Sequence, residues 1–231
     1  GEGSAKATAN ITVEVIARSG AQVKFAAIDR LGENVTAYIS RRGKLGNDAS
    51  IDWAIGVMNE GNVVADFDSD LIGNGSHADL KAVALSSGRQ VQGIDTRVTN
   101  YGCNSIGNIL QHGVILEKAT LTFNGIGHII KGAKGADAQQ ESRVLMLSDQ
   151  ARSDANPILL IDENDVTAGH AASIGQVDPE DMYYLMSRGL DKATAERLVV
   201  RGFLGSVIVE IPVKEVRDEM IATIEEKLSK R

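Results

Sequence analysis

His170 is the residue best placed to do chemistry. It stands in Thr167-Ala168-Gly169-His170-Ala171-Ala172-Ser173, where small neighbours leave the imidazole clear of bulk. A neutral imidazole in such a place can ligate a borderline metal such as iron. One imidazole does not complete a site, so the other ligands would have to come from another chain. A competing reading gives His170 only a hydrogen bond within the turn where strands give way to helices. Cys103 is the single cysteine, which excludes an internal disulfide and a four-thiolate cluster and fits a reducing compartment. Nothing adjacent in sequence would activate its thiol, so it reads as a small buried apolar residue.

The remaining candidates are weaker. His77, His112 and His128 stand singly and read as packed or exposed without a role. The chain has no nucleophile elbow, no His-Glu-x-x-His and no phosphate loop. Gly132-Ala133-Lys134-Gly135 is glycine-rich and basic, but reads as a turn. Asp66, Asp68 and Asp70 alternate along one segment. Such a ladder could hold calcium through hard oxygen ligands or serve sugar chemistry, yet alternation is first the mark of the solvated face of a strand.

Charge and composition narrow the partners. The net charge is −7 and the basic residues are scattered, which argues against nucleic acid. No run is apolar enough to span a bilayer and no leader pattern is present, so a cytoplasmic protein without a membrane partner is expected. Gly1 in place of a methionine reads as an excised start, with an N-terminal region missing. Aromatic residues make up 4% while glycines number 24, a balance suited to repeated strands and turns.

The elements that must position these residues recur. The segments starting at Val35, Val63, Val91 and Ala119 lie 28 residues apart, and a second series starts at Ala21, Ala49 and Ala78. Each alternates apolar with polar residues, the signature of a half-buried strand. Glycine and asparagine punctuate the gaps, as in Gly73-Asn74-Gly75. Two strands per 28 residues predict a β-solenoid over an antiparallel sandwich. The pattern changes at Asp178-Pro179-Glu180-Asp181, which reads as N-cap, first-turn proline and first-turn acids. Met182, Leu185 and Met186 share a helical face and Gly189 supplies a left-handed stop. Asp191 caps a second helix expected to end at Gly202, followed by a short apolar strand or turn over 207–211. A last helix carries Val213, Val216, Met220, Ile224 and Leu228, with Glu226 and Lys230 at ion-pair spacing. The expected division is a β-helix core over 1–175 and a helical domain over 176–231 that closes the C-terminal end of the solenoid.

Several spaced motifs carry a family resemblance. They are Phe123-Asn124-Gly125 with His128, the 132–137 glycine-rich turn with Gln140, Leu145-Met146-Leu147-Ser148-Asp149, Ala155-Asn156-Pro157, Gly169-His170 with Ile174-Gly175, and Tyr184-Leu185-Met186-Ser187-Arg188-Gly189. In this order they resemble the SufB/SufD family of iron–sulfur cluster assembly proteins, strongly over 120–203 and weakly before. The resemblance implies a right-handed parallel β-helix with flanking helices, pairing with a SufB-like paralogue and docking of a SufC-like ATPase. Asn156 stands near the place of a cysteine in the SufB branch, whereas a histidine in the turn before Ile-Gly, as in the SufD branch, is matched by His170. The implied role is a non-catalytic scaffold, with no cofactor held stably by this chain alone and iron or a cluster bound in the complex. His170 would be the ligand at a subunit interface, Tyr184, Arg188 and Gly189 the partner-binding residues, and a homodimer an alternative pairing. A solenoid hydrolase or lyase acting on carbohydrate is the competing class.

Overall fold

The computed structural model describes residues 5–209, 211 and 213–229. Among these described residues, twelve strands wind through six turns, two strands to a turn. One sheet stacks β1 (Ala7–Ala17), β3 (Val35–Leu45), β5 (Val63–Leu71), β7 (Val91–Asn100), β9 (Thr120–Ile129) and β11 (Arg152–Ile161). The facing sheet stacks β2 (Gln22–Asp29), β4 (Ser50–Val57), β6 (His77–Ser86), β8 (Ile106–Ile115), β10 (Asp137–Met146) and β12 (Thr167–Gln176). Every pairing is parallel. The two expected repeat series are thus the two sheets of a β-solenoid.

The repeat is not uniform. Ala7 pairs with Val35, but Val63 pairs with Ala37 rather than Val35, and Gln92 rather than Val91 pairs with Val63. A two-residue slip preserves the face of a strand, whereas a one-residue slip reverses it. Val91 is accordingly 52% exposed, and Gln92 takes the interior position. Inside, Ile39, Phe67, Ile94 and Phe123 of one sheet meet Ile51, Trp53, Leu80 and Ile109 of the other.

The corners explain the glycines and asparagines. Residues Gly20, Asp48, Gly75, Asn104 and Gly135 all have positive φ and stack as a column. Each donates its N–H to a carbonyl of the next turn, from Gly20 to Asn47 through Gly135 to Asp165. The side chains of Asn47 and Asn74 accept from the Asn74 and Cys103 N–H groups, each at 2.9 Å. Gly73 lies so close to the turn before it that a Cβ would fall 2.0 Å from the Asn47 nitrogen. Only glycine fits such an approach.

Three helices follow among the described residues: α1 (Pro179–Ser187), α2 (Lys192–Ile208) and α3 (Lys214–Ser229). Asp178 and Asp191 cap the first two by accepting from Glu180 N–H and Thr194 N–H at 2.8 and 2.7 Å, and Gly189 has φ of 94°. Two expectations need correction. The second helix does not stop at Gly202, and Val207 and Ile208 belong to it rather than to a strand. Burial of Val200, Leu204, Val207 and Ile208 outweighs the cost of roughly 1 kcal/mol for each glycine in a helix. Nor do the helices close the C-terminal end of the solenoid. α2 and α3 lie along the outer face of the β2-to-β12 sheet, where Ala54, Met58, Val83, Leu85, Val114 and Leu116 form one core with them. Lys227 of α3 fastens the far end by donating to the Met58 and Asn59 carbonyls at 2.9 and 2.7 Å. Glu226 pairs with Arg30 at 2.6 Å, while the expected partner Lys230 lies outside the described residues. No helix among the described residues is long and apolar enough to cross a membrane.

Candidate functional site: the open last turn and the helical arm

With the helices on the flank, the last turn of the solenoid stays uncovered. β12 is exposed from His170 to Gln176, and Ile158, Leu160 and Ile161 of β11 are exposed as well. His170 is in mid-strand, not in a turn. It pairs with Gln140, whose side chain is buried between the sheets, so the two share the inner column. On the terminal strand that column opens to solvent. His170 has no hydrogen-bond or ion-pair partner among the described residues, and the turn-bonded reading of this residue finds no such bond.

The open edges of the two last strands differ. Arg152 and Asp162 direct their N–H groups to β9. Alternation along the strand then turns the 153, 155, 159 and 161 amides outward, and at Pro157 between them there is no N–H. On β12, Thr167 donates to Ala136, so the amides of Ala168, His170, Ala172, Ile174 and Gln176 point outward without a gap. A proline in mid-edge blunts β11, while β12 keeps an unbroken edge.

The last turn is pinned to the one before it by Glu163, which is 7% exposed. Its carboxylate accepts from Asn164 N–H at 2.8 Å and from Gly132 N–H at 3.0 Å, with Lys131 at 3.9 Å. The Asn164 and Gly132 amides hold its pKa below the usual carboxylate range, against the effect of burial. A depressed carboxylate stabilises the fold above its ordinary titration range, and that contribution is lost as pH falls through the depressed value. Acid should therefore loosen the 162–166 turn before the rest of the solenoid. Hydrogen exchange of that turn should accelerate below about pH 4 in the parent, and already at neutral pH in Glu163→Ala. Equal protection of the turn in parent and variant at both pH values would refute the clamp.

The second exposed feature is the helical arm. α1 buries none of its side chains; Tyr183 is 75% and Tyr184 56% exposed, with Met186 and Leu198 also exposed. The Arg188 guanidinium lies 5.0 Å from the Tyr184 ring centre and donates to the Tyr184 hydroxyl at 3.2 Å, just before the turn at Gly189. Tyr184, Arg188 and Gly189, the expected partner-binding residues, thus lie together at the end of α1, and Tyr183 beside them goes unmarked in the sequence because its neighbour Met182 carries the apolar face.

The other candidates do not assemble. Cys103 sits half-exposed in a corner, its sulfur 3.4 Å from the Gly132 carbonyl, because that turn directs it away from the interior, contrary to the buried expectation. Asp66, Asp68 and Asp70 line the outer face of β5, with Arg42 on Asp68 at 3.1 Å. Burial, and then the neighbouring Asp68 charge, push Asp66 and Asp70 above the usual carboxylate range. Among the described residues no three His, Cys, Asp or Glu side chains could hold a metal ion.

A parallel β-solenoid with an uncovered last turn leaves strand edges with unpaired backbone groups, and here an exposed helical arm stands beside them. Residues 1–203 match the family described as SUF system FeS cluster assembly, SufBD core domain, and the chain belongs to that family. It is 50% identical over 95% of its length to the iron-sulfur cluster assembly protein SufD of Bacillus subtilis, covering 50% of that protein. It is 32% identical over 94% of its length to a SufBD family protein of Mycobacterium tuberculosis, covering 56% of it. The chain thus spans about half the length of these relatives.

Proposed function

We propose that the chain is a non-catalytic, cytoplasmic scaffold subunit of Suf-type iron–sulfur cluster assembly. It pairs through its open last turn with a SufB-like paralogue, or alternatively with a second copy of itself, and docks a SufC-like ATPase on α1 and the start of α2. The observation that carries this reading is the uncovered last turn: an unbroken β12 edge beside an unpartnered imidazole. An added strand would satisfy the outward amides of β12, and partner thiolates would complete a site that His170 cannot form alone. Iron or a nascent cluster is then cargo held between subunits. The likeness to SufD, with Asn156 near the place of the SufB-branch cysteine and His170 matching the SufD-branch histidine, supports an auxiliary role over independent cluster building.

Truncation before Asp178 is a poor test of docking, because it would expose the apolar flank under α2 and α3. Surface variants on α1 are clean, since α1 buries nothing. Tyr184→Ala with Arg188→Ala should leave the thermal unfolding profile intact. The pair should weaken retention of the SufC-like ATPase by about thirtyfold, the effect of losing one anchor worth about 2 kcal/mol. Unchanged retention by the folded variant would remove the arm from the interface. Co-purification with the SufB-like paralogue should survive this change and fail instead when Ala172 is replaced by proline, which deletes an outward amide at mid-edge of β12.

A further inference from the structure

α2 is seated on the solenoid over an ionisable group. His112 of β8 is 3% exposed and points to the outer face of the sheet, where its ring stacks on Phe203 of α2 with centres 5.1 Å apart and planes 24° apart. Around this pair the seat is apolar: Val83, Leu85, Val114 and Leu116 on the sheet side, Val200, Leu204 and Val207 on the helix. Nε2 lies 3.3 Å from the Glu141 carboxylate, and Nδ1 makes no hydrogen bond of normal geometry among the described residues, although the Phe203 backbone carbonyl of α2 faces the ring. The charged groups facing the ring are Glu141 and Arg143, both on β10, and Arg143 itself holds Glu141 at 2.9 Å. α2 brings the Phe203 ring and backbone to it.

We propose that His112 is a protonation latch for α2: the uncharged ring seats Phe203 on the sheet, and proton uptake by the ring releases α2 and the α1 arm it carries. A charged imidazole in this seat would lose its hydration without a dedicated counterion, because Glu141 is shared with Arg143. A released ring regains water and binds its proton as an ordinary histidine does. Burial holds the seated ring below the usual imidazole range, and the Glu141 hydrogen bond and the Phe203 backbone oppose this without overcoming it. The seated form therefore binds fewer protons than the released form. Seating is strongest above the ordinary imidazole range and weakens as pH falls through it towards the lower value of the seated ring.

Hydrogen exchange followed by mass spectrometry tests the latch in the chain as it stands. After correction for chemical exchange, protection of α2 relative to β4 and β6 should fall several-fold from pH 7.5 to pH 5.5, because the released ring binds its proton in that window and the seated ring binds it only at lower pH. His112→Phe keeps a ring against Phe203 but cannot titrate, and should make α2 protection equal at both pH values. Glu141→Gln removes the carboxylate that favours a charged ring in place, and should enlarge the fall. An unaltered fall in His112→Phe, or no fall in the parent, overturns the latch. Should His112→Phe not fold, the imidazole resonances of the parent decide. A ring titrating below the ordinary range together with α2 exposure supports the latch, and one titrating in the ordinary range without it overturns the latch. Weaker ATPase retention at pH 5.5 would follow only if the docking proposal holds, whereas the exchange measurement reads α2 alone, so the two can fail separately.

Discussion

Replacing Asp29 by alanine should destabilise the chain by about 3–5 kcal/mol and lower its unfolding temperature on the order of 10 °C. Asp29 and Arg41 are 7% and 4% exposed and bond in fork geometry inside the solenoid, at 2.6 and 2.8 Å. The Arg41 guanidinium also lies 5.5 and 5.9 Å from the ring centres of Phe67 and Phe25. Removing Asp29 leaves a guanidinium between two aromatic rings without its anion, and its Nε already lacks a partner among the described residues. The loss comes from this stranded charge and not from an intrinsically strong bond, since a well-packed apolar pair in place of a buried ion pair is often neutral or better. The double variant Asp29→Leu with Arg41→Met should therefore recover most of the stability lost in Asp29→Ala. Urea unfolding of the parent, the single and the double variants measures this directly. A double variant no more stable than Asp29→Ala would show that the pair stabilises the fold through its own geometry.

Arg41 also marks how far sequence could be read. Alternation through Val35, Ala37 and Ile39 places Arg41 on the inner face, so its burial was legible in principle. Its partner was not, because Asp29 comes from the facing sheet and nothing in either segment announces the other. The stacked turns were legible for a physical reason: a solenoid repeats one local problem, a period-2 strand and a tight corner, and each solution leaves the same trace. The register was less so, because corners of unequal length shift the pairing, and Val91 could not be told from Gln92 as the inward residue without them. The place of the helices left a sign that period-2 reading overlooked. The second halves of β4, β6 and β8 are buried on both faces, and their runs, such as 53–58 and 82–85, are apolar without alternation. Those runs call for cover along the flank, which is where α2 and α3 lie. His112 offered nothing to find, since its meaning depends on Phe203, far along the chain on another element.

In the complex proposed above, His170→Ala should fold, retain the SufB-like and SufC-like partners and lose cluster assembly by at least tenfold. The side chain is exposed and makes no bond within the described residues, so its removal costs the fold little. Edge pairing should also survive, because the group that β12 offers at this position is the backbone N–H, which alanine keeps. What alanine removes is the imidazole at the mouth of the inner column. Altering a group that merely orients a metal ligand costs about 10–100-fold in affinity or activity, and loss of a ligand should cost no less. Cluster formation on the complex, followed by visible absorption and by transfer to an apo-acceptor, reads the effect, with co-purification of the two partners run in parallel. Full assembly by the variant would exclude a ligand role. Lost co-purification would instead make His170 a contact that holds the subunits together. His170→Cys separates these further: a thiolate can replace an imidazole on iron but not its contacts, so partial rescue of assembly with both partners bound would place the metal at this residue.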